Sequence, residues 1–166
     1  MIISIFPNFN NDVAAVTEEV INTVIKADSN VLVNVENSAD ISKLVIDNPE
    51  KIHFCDEEEK FDEGDIEIAI ERDKNNRKIK KKASFKNKPT LGINAGRLGF
   101  MSGLEKNELG LLEQLCNGKS FTIEERMMIK AVVEKDNECV GTYHCLNDAV
   151  ITRGDVARLI DIDVKC

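Results

Sequence analysis

Two short segments of this chain carry residue types suited to ligand chemistry. In the first, Leu91-Gly92-Ile93-Asn94-Ala95-Gly96-Arg97-Leu98-Gly99-Phe100, a strand end runs into a glycine-rich turn ahead of a helix. Glycine tolerates positive φ and lets a ligand approach the backbone, and in open α/β sheets ligands gather beyond the carboxyl ends of the strands. A plain tight turn is the competing reading, because the spacing is neither Gly-x-Gly-x-x-Gly nor a P-loop. In the second segment, Asn147-Asp148 stands at the head of the apolar run Ala149-Val150-Ile151. An amide donor beside a carboxylate acceptor can grip neighbouring hydroxyls of a ribose, although Asn-Asp pairs also make ordinary turns. Gly118-Lys119-Ser120 has only the tail of a P-loop, since Glu113 stands where its first glycine is needed. Cys139, His144 and Cys145 sketch a metal corner, but four ligands at zinc spacing are missing and no metal site is expected.

The elements that must position these residues follow from hydrophobic period. Residues 2–6 read as a short buried strand stopped by Pro7. Asn11 or Asp12 then caps a helix with Val13, Val16, Val20, Ile21 and Val24 on one face. Val31, Leu32, Val33 and Val35 form a second strand, and Ser38 caps a short helix carrying Ile41, Leu44 and Val45 that Pro49 closes. An acidic stretch over 56–63 and a basic one over 72–82 flank the alternating strand 65–70. The basic run reads as a solvated helix or loop, as a phosphate-binding remnant, or as a nucleic-acid or localisation patch, and the acidic run is placed to neutralise it. Another strand covers 89–93. Ser102 and Glu105 have capping-box spacing before a helix with Leu109, Leu112, Leu115 and Cys116, which Gly118 ends. Beyond Phe121 the pattern turns to strands: 129–134 and 139–146 around a turn at Asp136-Asn137, then 148–152, then the alternating 160–165.

This order predicts a Rossmann-like layered α/β domain over residues 1–118, followed over 119–166 by the first strands of an incomplete all-β domain. The second part is far below the ~70–80 residues that usually supply a core alone, so its strands are expected to carry open, partner-seeking edges.

Composition excludes several classes. A formal charge of −8 over 166 residues, with one Tyr and no Trp, argues against a nucleic-acid binder, because that affinity rests on neutralising phosphates. Apolar residues at 42% and charged ones at 31% fit a soluble globular protein. No stretch approaches the ~18 apolar residues of a membrane span. Five cysteines without a Cys-x-x-Cys pair fit reduced thiols, and a cytoplasmic protein is expected.

Taken together, residues 91–100, the run Gly-Lys-Ser-Phe-Thr-Ile-Glu-Glu-Arg over 118–126, and residues 146–160 with their Ala157-Arg158-Leu159-Ile160 tail resemble the ATP-dependent NAD kinase family in order and separation. The resemblance extends to the amino-terminal strand and helix. It implies transfer of the ATP γ-phosphoryl group, with Mg²⁺ or another divalent cation, to the 2′-hydroxyl of the adenosine ribose of NAD, giving NADP. It further implies a homo-oligomer that pairs an α/β domain with a β-rich one. Asn147 and Asp148 would hold the NAD ribose or adenine, Arg158 would lie near the nucleotide phosphates, and Phe100 would line the nucleotide pocket.

The family's Gly-Gly-Asp-Gly-Thr motif corresponds here to Glu71-Arg72-Asp73-Lys74-Asn75. The resemblance makes Asp73 the catalytic carboxylate, while the flanking glycines are lost. Lys74 and Arg72 are placed to offset the charge of Glu71 beside a triphosphate, and Lys78 stands where the family carries a phosphate-reading basic residue. Phosphoryl transfer depends on positioning and electrostatics, so this altered turn also allows a catalytically impaired nucleotide-binding or assembly remnant. A relative of the lipid kinases that share an aspartate–glycine turn is the more distant alternative.

Overall fold

Alternation along the central strands decides what each face of the sheet meets. The computed structural model describes residues 1–7, 9, 13–71, 76–96, 102–119, 121–151 and 163, with the backbone alone for 71 and 76–78. Six strands, β1 (Ile2–Phe6), β2 (Asn30–Asn34), β3 (Ile52–Cys55), β4 (Ile66–Glu71), β5 (Thr90–Asn94) and β6 (Leu104–Glu105), form one sheet in the order β3-β2-β1-β4-β5-β6. Every pairing is parallel. Such sheets need cover on both faces. Ile3 and Ile5, in register with Ile66 and Ile68, join Val31, Val33 and Ile93 on one face. That face packs on Val16, Val20, Ile21 and Val24 of α1 (Ala14–Lys26), and on Leu112 and Cys116 of a carboxyl-side helix over Leu109–Cys116.

The intervening residues point the other way. Ser4, Leu32, Glu67 and Ala69 are buried there beneath the helices over Glu57–Glu63 and Asn76–Phe85, which contribute Lys60, Phe61 and Ala83. A short helix, α2 (Ser38–Ile41), lies between β2 and β3; the remaining three are α3 (Glu57–Glu63), α4 (Asn76–Phe85) and α5 (Leu109–Cys116). One face is therefore aliphatic, and the other is thin and partly ionic.

A second compact unit spans Glu125–Cys166, after a first over Met1–Glu124. It contains the antiparallel hairpin β7 (Ile129–Lys135) and β8 (Glu138–Cys145). Asp136 and Asn137 both have positive φ, 54° and 64°, the two-residue turn whose twist matches paired strands. Val132, Val133, Val140 and Tyr143 on the hairpin are exposed.

Several expectations are corrected by local hydrogen bonds. Val35 leaves the second strand because the Asn34 side chain accepts from the Glu36 N–H at 2.9 Å and turns the chain into a 3₁₀ helix. The helix expected through Val45 stops at Ile41, and Ser38 is its first residue rather than its side-chain cap. Glu18 and Asn22 of α1 instead capture the backbone at Val45 and Asp47. Pro49 opens a 3₁₀ turn. Residues 52–55 and 57–63, for which no element was expected, form β3 and α3. Asp56 caps α3 by accepting from the Glu59 N–H at 2.8 Å, and glutamates in the first turn suit the helix dipole.

Ser102 does not cap α5, whose amino-terminal flank is Glu108. The chain at 103–105 is drawn into the sheet instead, with the Gly103 N–H on the Gly92 carbonyl at 2.8 Å and Leu104 beside Ile93. Gly118 ends α5 with φ 73°, as expected. Residues 148–151 are not a strand, since no neighbouring strand supplies them a ladder among the described residues. Asn11, Asp12, the turn at 97–100 and most of 160–165 lie outside the described residues.

Leu112 is fully buried between α5 and the sheet, while neighbouring Leu111 is half exposed. Leu112→Ala is expected to lower unfolding free energy by ~2–5 kcal/mol, and Leu111→Ala by less than about 0.5 kcal/mol. Urea denaturation followed by far-UV circular dichroism reads both.

Candidate functional site

In the strand order, neighbours run outward from β1 through β2 to β3 and from β4 through β5 to β6. The sheet therefore switches direction between β1 and β4, and the crevice outside the carboxyl ends at that point is where such sheets bind ligands. A cleft of about 250 Å³ lies there. Phe6 and Pro7 at the end of β1, Asn34 at the end of β2 and Ile70 near the end of β4 line it, together with Glu36, Asn37, Glu57, Lys60, Ile79 and Lys82. Apolar surface for a ring, amides for polar edges and charges of both signs are thus gathered in one place.

Lys60 sits at the inner side of this cleft at 1% exposure. Its ammonium donates to the Ile5 carbonyl at 2.7 Å and lies 3.5 Å from the centre of the Phe6 ring. Glu67 is fully buried on β4, in register with Ser4, and among the described residues neither carboxylate oxygen has a hydrogen-bond partner. The Ser4 hydroxyl donates instead to the Lys60 carbonyl at 2.8 Å. Burial pushes the Glu67 carboxyl up to about 7, with Lys60 and Lys88 opposing, and pulls the Lys60 ammonium down to about 8, with Glu67 opposing. Gly64 closes the cluster, because a Cβ there would meet the Ser4 Oγ at 2.1 Å and the Glu67 Oε1 at 2.9 Å.

The acidic and basic runs meet across α3 and α4. Lys82 pairs with Glu57 at 2.7 Å, Lys86 with Asp62 at 2.6 Å, and the Lys88 ammonium donates to the carbonyls of Asp62 and Gly64 at 2.9 and 2.7 Å. Within the basic run, residues 76–82 are helical and Lys82 is answered by Glu57 of α3. At the end of β5, the Asn94 side chain accepts from the Gly96 N–H at 2.9 Å and donates to Glu105 at 2.9 Å. It fixes the entry to the glycine-rich segment.

Of the residues singled out in the sequence, Asp73, Lys74, Phe100 and Arg158 lie outside the described residues. Lys78 is the third residue of α4. Asn147 and Asp148 are exposed and follow β8 directly in the second unit. Lys60, Glu67 and Asn34 were not anticipated as site residues. The signal available for Lys60 was its position as the one basic residue inside 56–63. Burial pushes the Cys55 and Cys116 thiols above their ordinary range, the opposite of what a thiolate nucleophile needs.

A doubly wound parallel sheet with a cleft at its switch point belongs to the Rossmann-like class of α/β folds. No family model matches the chain. NAD kinases of Natranaerobius thermophilus, Geobacter metallireducens and Acetivibrio thermocellus are 44%, 40% and 33% identical to it over 78, 75 and 102 residues. Those matches take in 46%, 45% and 61% of this chain but only 27%, 26% and 35% of the relatives. A crystal structure of yeast NADH kinase complexed with NADH shares the fold over 89% of this chain and 47% of its own, with TM-score 0.71 and 16% identity. Over the matched stretches the chain is similar to NAD kinases, and it spans about a quarter to a third of the length of these relatives. No helix among the described residues is long and apolar enough to cross a membrane.

The buried pair makes stability pH-dependent in a defined window. Between the ~4.3 of an unfolded glutamate and the value of about 7 in the fold, the folded chain binds the extra proton. Stability contributed by neutral Glu67 is therefore lost as pH rises through 7. Lys60 acts oppositely, regaining stability as pH rises from about 8 toward its unfolded ~10.4. The urea midpoint of wild type is expected to fall from pH 5 to pH 7.5 more steeply than that of Glu67→Gln, with equal slopes overturning the assignment.

Proposed function

We propose that this chain is the nucleotide-binding portion of an NAD kinase, transferring the γ-phosphoryl group of ATP to the 2′-hydroxyl of the adenosine ribose of NAD. The observation that carries the reading is the switch-point cleft: Ile70 of β4 lines it, and Asp73 follows the end of β4 by two residues in the sequence. In the proposed reaction Asp73 accepts the hydroxyl proton, while Lys74 and Lys78 meet phosphate charge. Asn147 and Asp148 grip the ribose or adenine of NAD, Arg158 faces phosphates, and Phe100 lines the pocket. Mg²⁺ or another divalent cation supplies charge neutralisation on the transferred phosphate. Among the described residues no group of three or more His, Cys, Asp and Glu is placed to hold a metal. The complete protein is read as a cytoplasmic homo-oligomer.

A second reading is favoured by one observation. Glu71, Arg72 and Lys74 occupy positions that are glycine in the family motif, and side chains there fill space that a phosphate would take. The chain is then a nucleotide-binding or assembly partner without turnover.

The expected outcome of the first reading is NADP formation from NAD, ATP and Mg²⁺, with Asp73→Asn lowering kcat about 100-fold or more. NADH should be run in parallel as acceptor. A folded chain that yields no product where a full-length relative does would remove the catalytic claim. Calorimetric binding of ATP or NAD without turnover would select the second reading.

A further inference from the structure

Lys60 is a residue for which the phosphoryl-transfer reading has no use. It lines the cleft, yet it is almost wholly buried. Its ammonium holds the Ile5 carbonyl at 2.7 Å and the Phe6 ring at 3.5 Å. Phe6 stacks obliquely on Phe61, the next residue of α3, with ring centres 5.1 Å apart. One side chain thus fastens α3 to the carboxyl end of β1, at the strand that borders the switch point. The fold does not require a charge for this, since an apolar side chain of similar volume fills such a place without desolvating an ion. Glu67 is a second buried titratable group facing the same helix, and among the described residues neither of its oxygens has a hydrogen-bond partner.

We propose that Lys60 is a positioning residue of the cleft: it clamps the end of β1 and the Phe6 ring where a nucleotide must lie and offers its positive charge toward the nucleotide's phosphates, with Glu67 as buried counter-ion. The proposal rests on the reading of this cleft as a nucleotide site. The groups that face Lys60 are Glu67 from β4, Cys55 from β3 and Glu57 from its own helix. Glu36 and Lys82 share the cleft from the 3₁₀ turn and from α4. Glu36 and Glu57 repel an anion and Lys82 is paired with Glu57, which leaves Lys60 as the inward-facing positive charge of this set.

The test uses the full chain and ATP as probe, by calorimetry at pH 7 and pH 9, on wild type, Lys60→Met and the double variant Lys60→Met with Glu67→Gln. The double variant removes both charges, so a folding defect from one unpaired buried ion is separated from loss of binding. Circular dichroism confirms the fold of each. Wild type is expected to bind ATP about fivefold more weakly at pH 9 than at pH 7. Both variants are expected to bind weakly at pH 7 with a flat profile. A double variant that is folded and keeps wild-type affinity and pH profile would overturn the role of Lys60 and leave the kinase reading intact. Wild type that neither binds ATP nor forms NADP would overturn both.

Discussion

A parallel sheet has no solvent face, and everything else in the amino-terminal unit follows from having to cover both sides of β1 and β4. The face under α1 and α5 solves this mainly with branched aliphatic residues. The face under α3 and α4 has fewer apolar groups and also buries Lys60, Glu67 and Ser4, the last joined to the Lys60 carbonyl of α3. Charge in such a layer stabilises only when it is answered. Ion pairs accordingly link α3, from the acidic stretch, to α4, which carries the later part of the basic one.

The difference between the faces also separates what sequence could and could not convey. Strands β1, β2, β4 and β5 and helices α1 and α5 were legible, because each carries an aliphatic face at a clear period. The failures came where single hydrogen bonds, from side chains or backbone, redirect the chain. Asn34 turns the chain at Glu36, Glu18 and Asn22 hold Val45 and Asp47, and Gly103 joins the sheet through Gly92. None of these pairs has a periodic signature. Glu67 shows the converse limit: alternation along β4 places it correctly, but alternation equally describes a residue in water, and its burial depends on α3, which pattern reading missed.

For the site, resemblance located residues by name and the fold located a place. The ends of β1, β2 and β4 define a cleft from described side chains. The residues the family motif would emphasise begin immediately past β4. Asn94 was visible as part of the glycine-rich segment, yet its hydrogen bond to Glu105 depends on β6, a two-residue strand that no propensity would reveal.

The position of β1 at the centre of the sheet has a further consequence for how the chain is made. A ribosome delivers β1 before the other strands of this sheet, and its partner β4 does not emerge until residues 66–71 have been added. Pairings so distant along the chain form slowly, since the intervening loop must be closed before any contact rewards it. Until then the nascent chain carries an apolar strand with one neighbour at most, whereas the hairpin of β7 and β8 closes around two residues as soon as it is synthesised. The strand that organises the finished domain is thus the one exposed for longest to misassociation during synthesis.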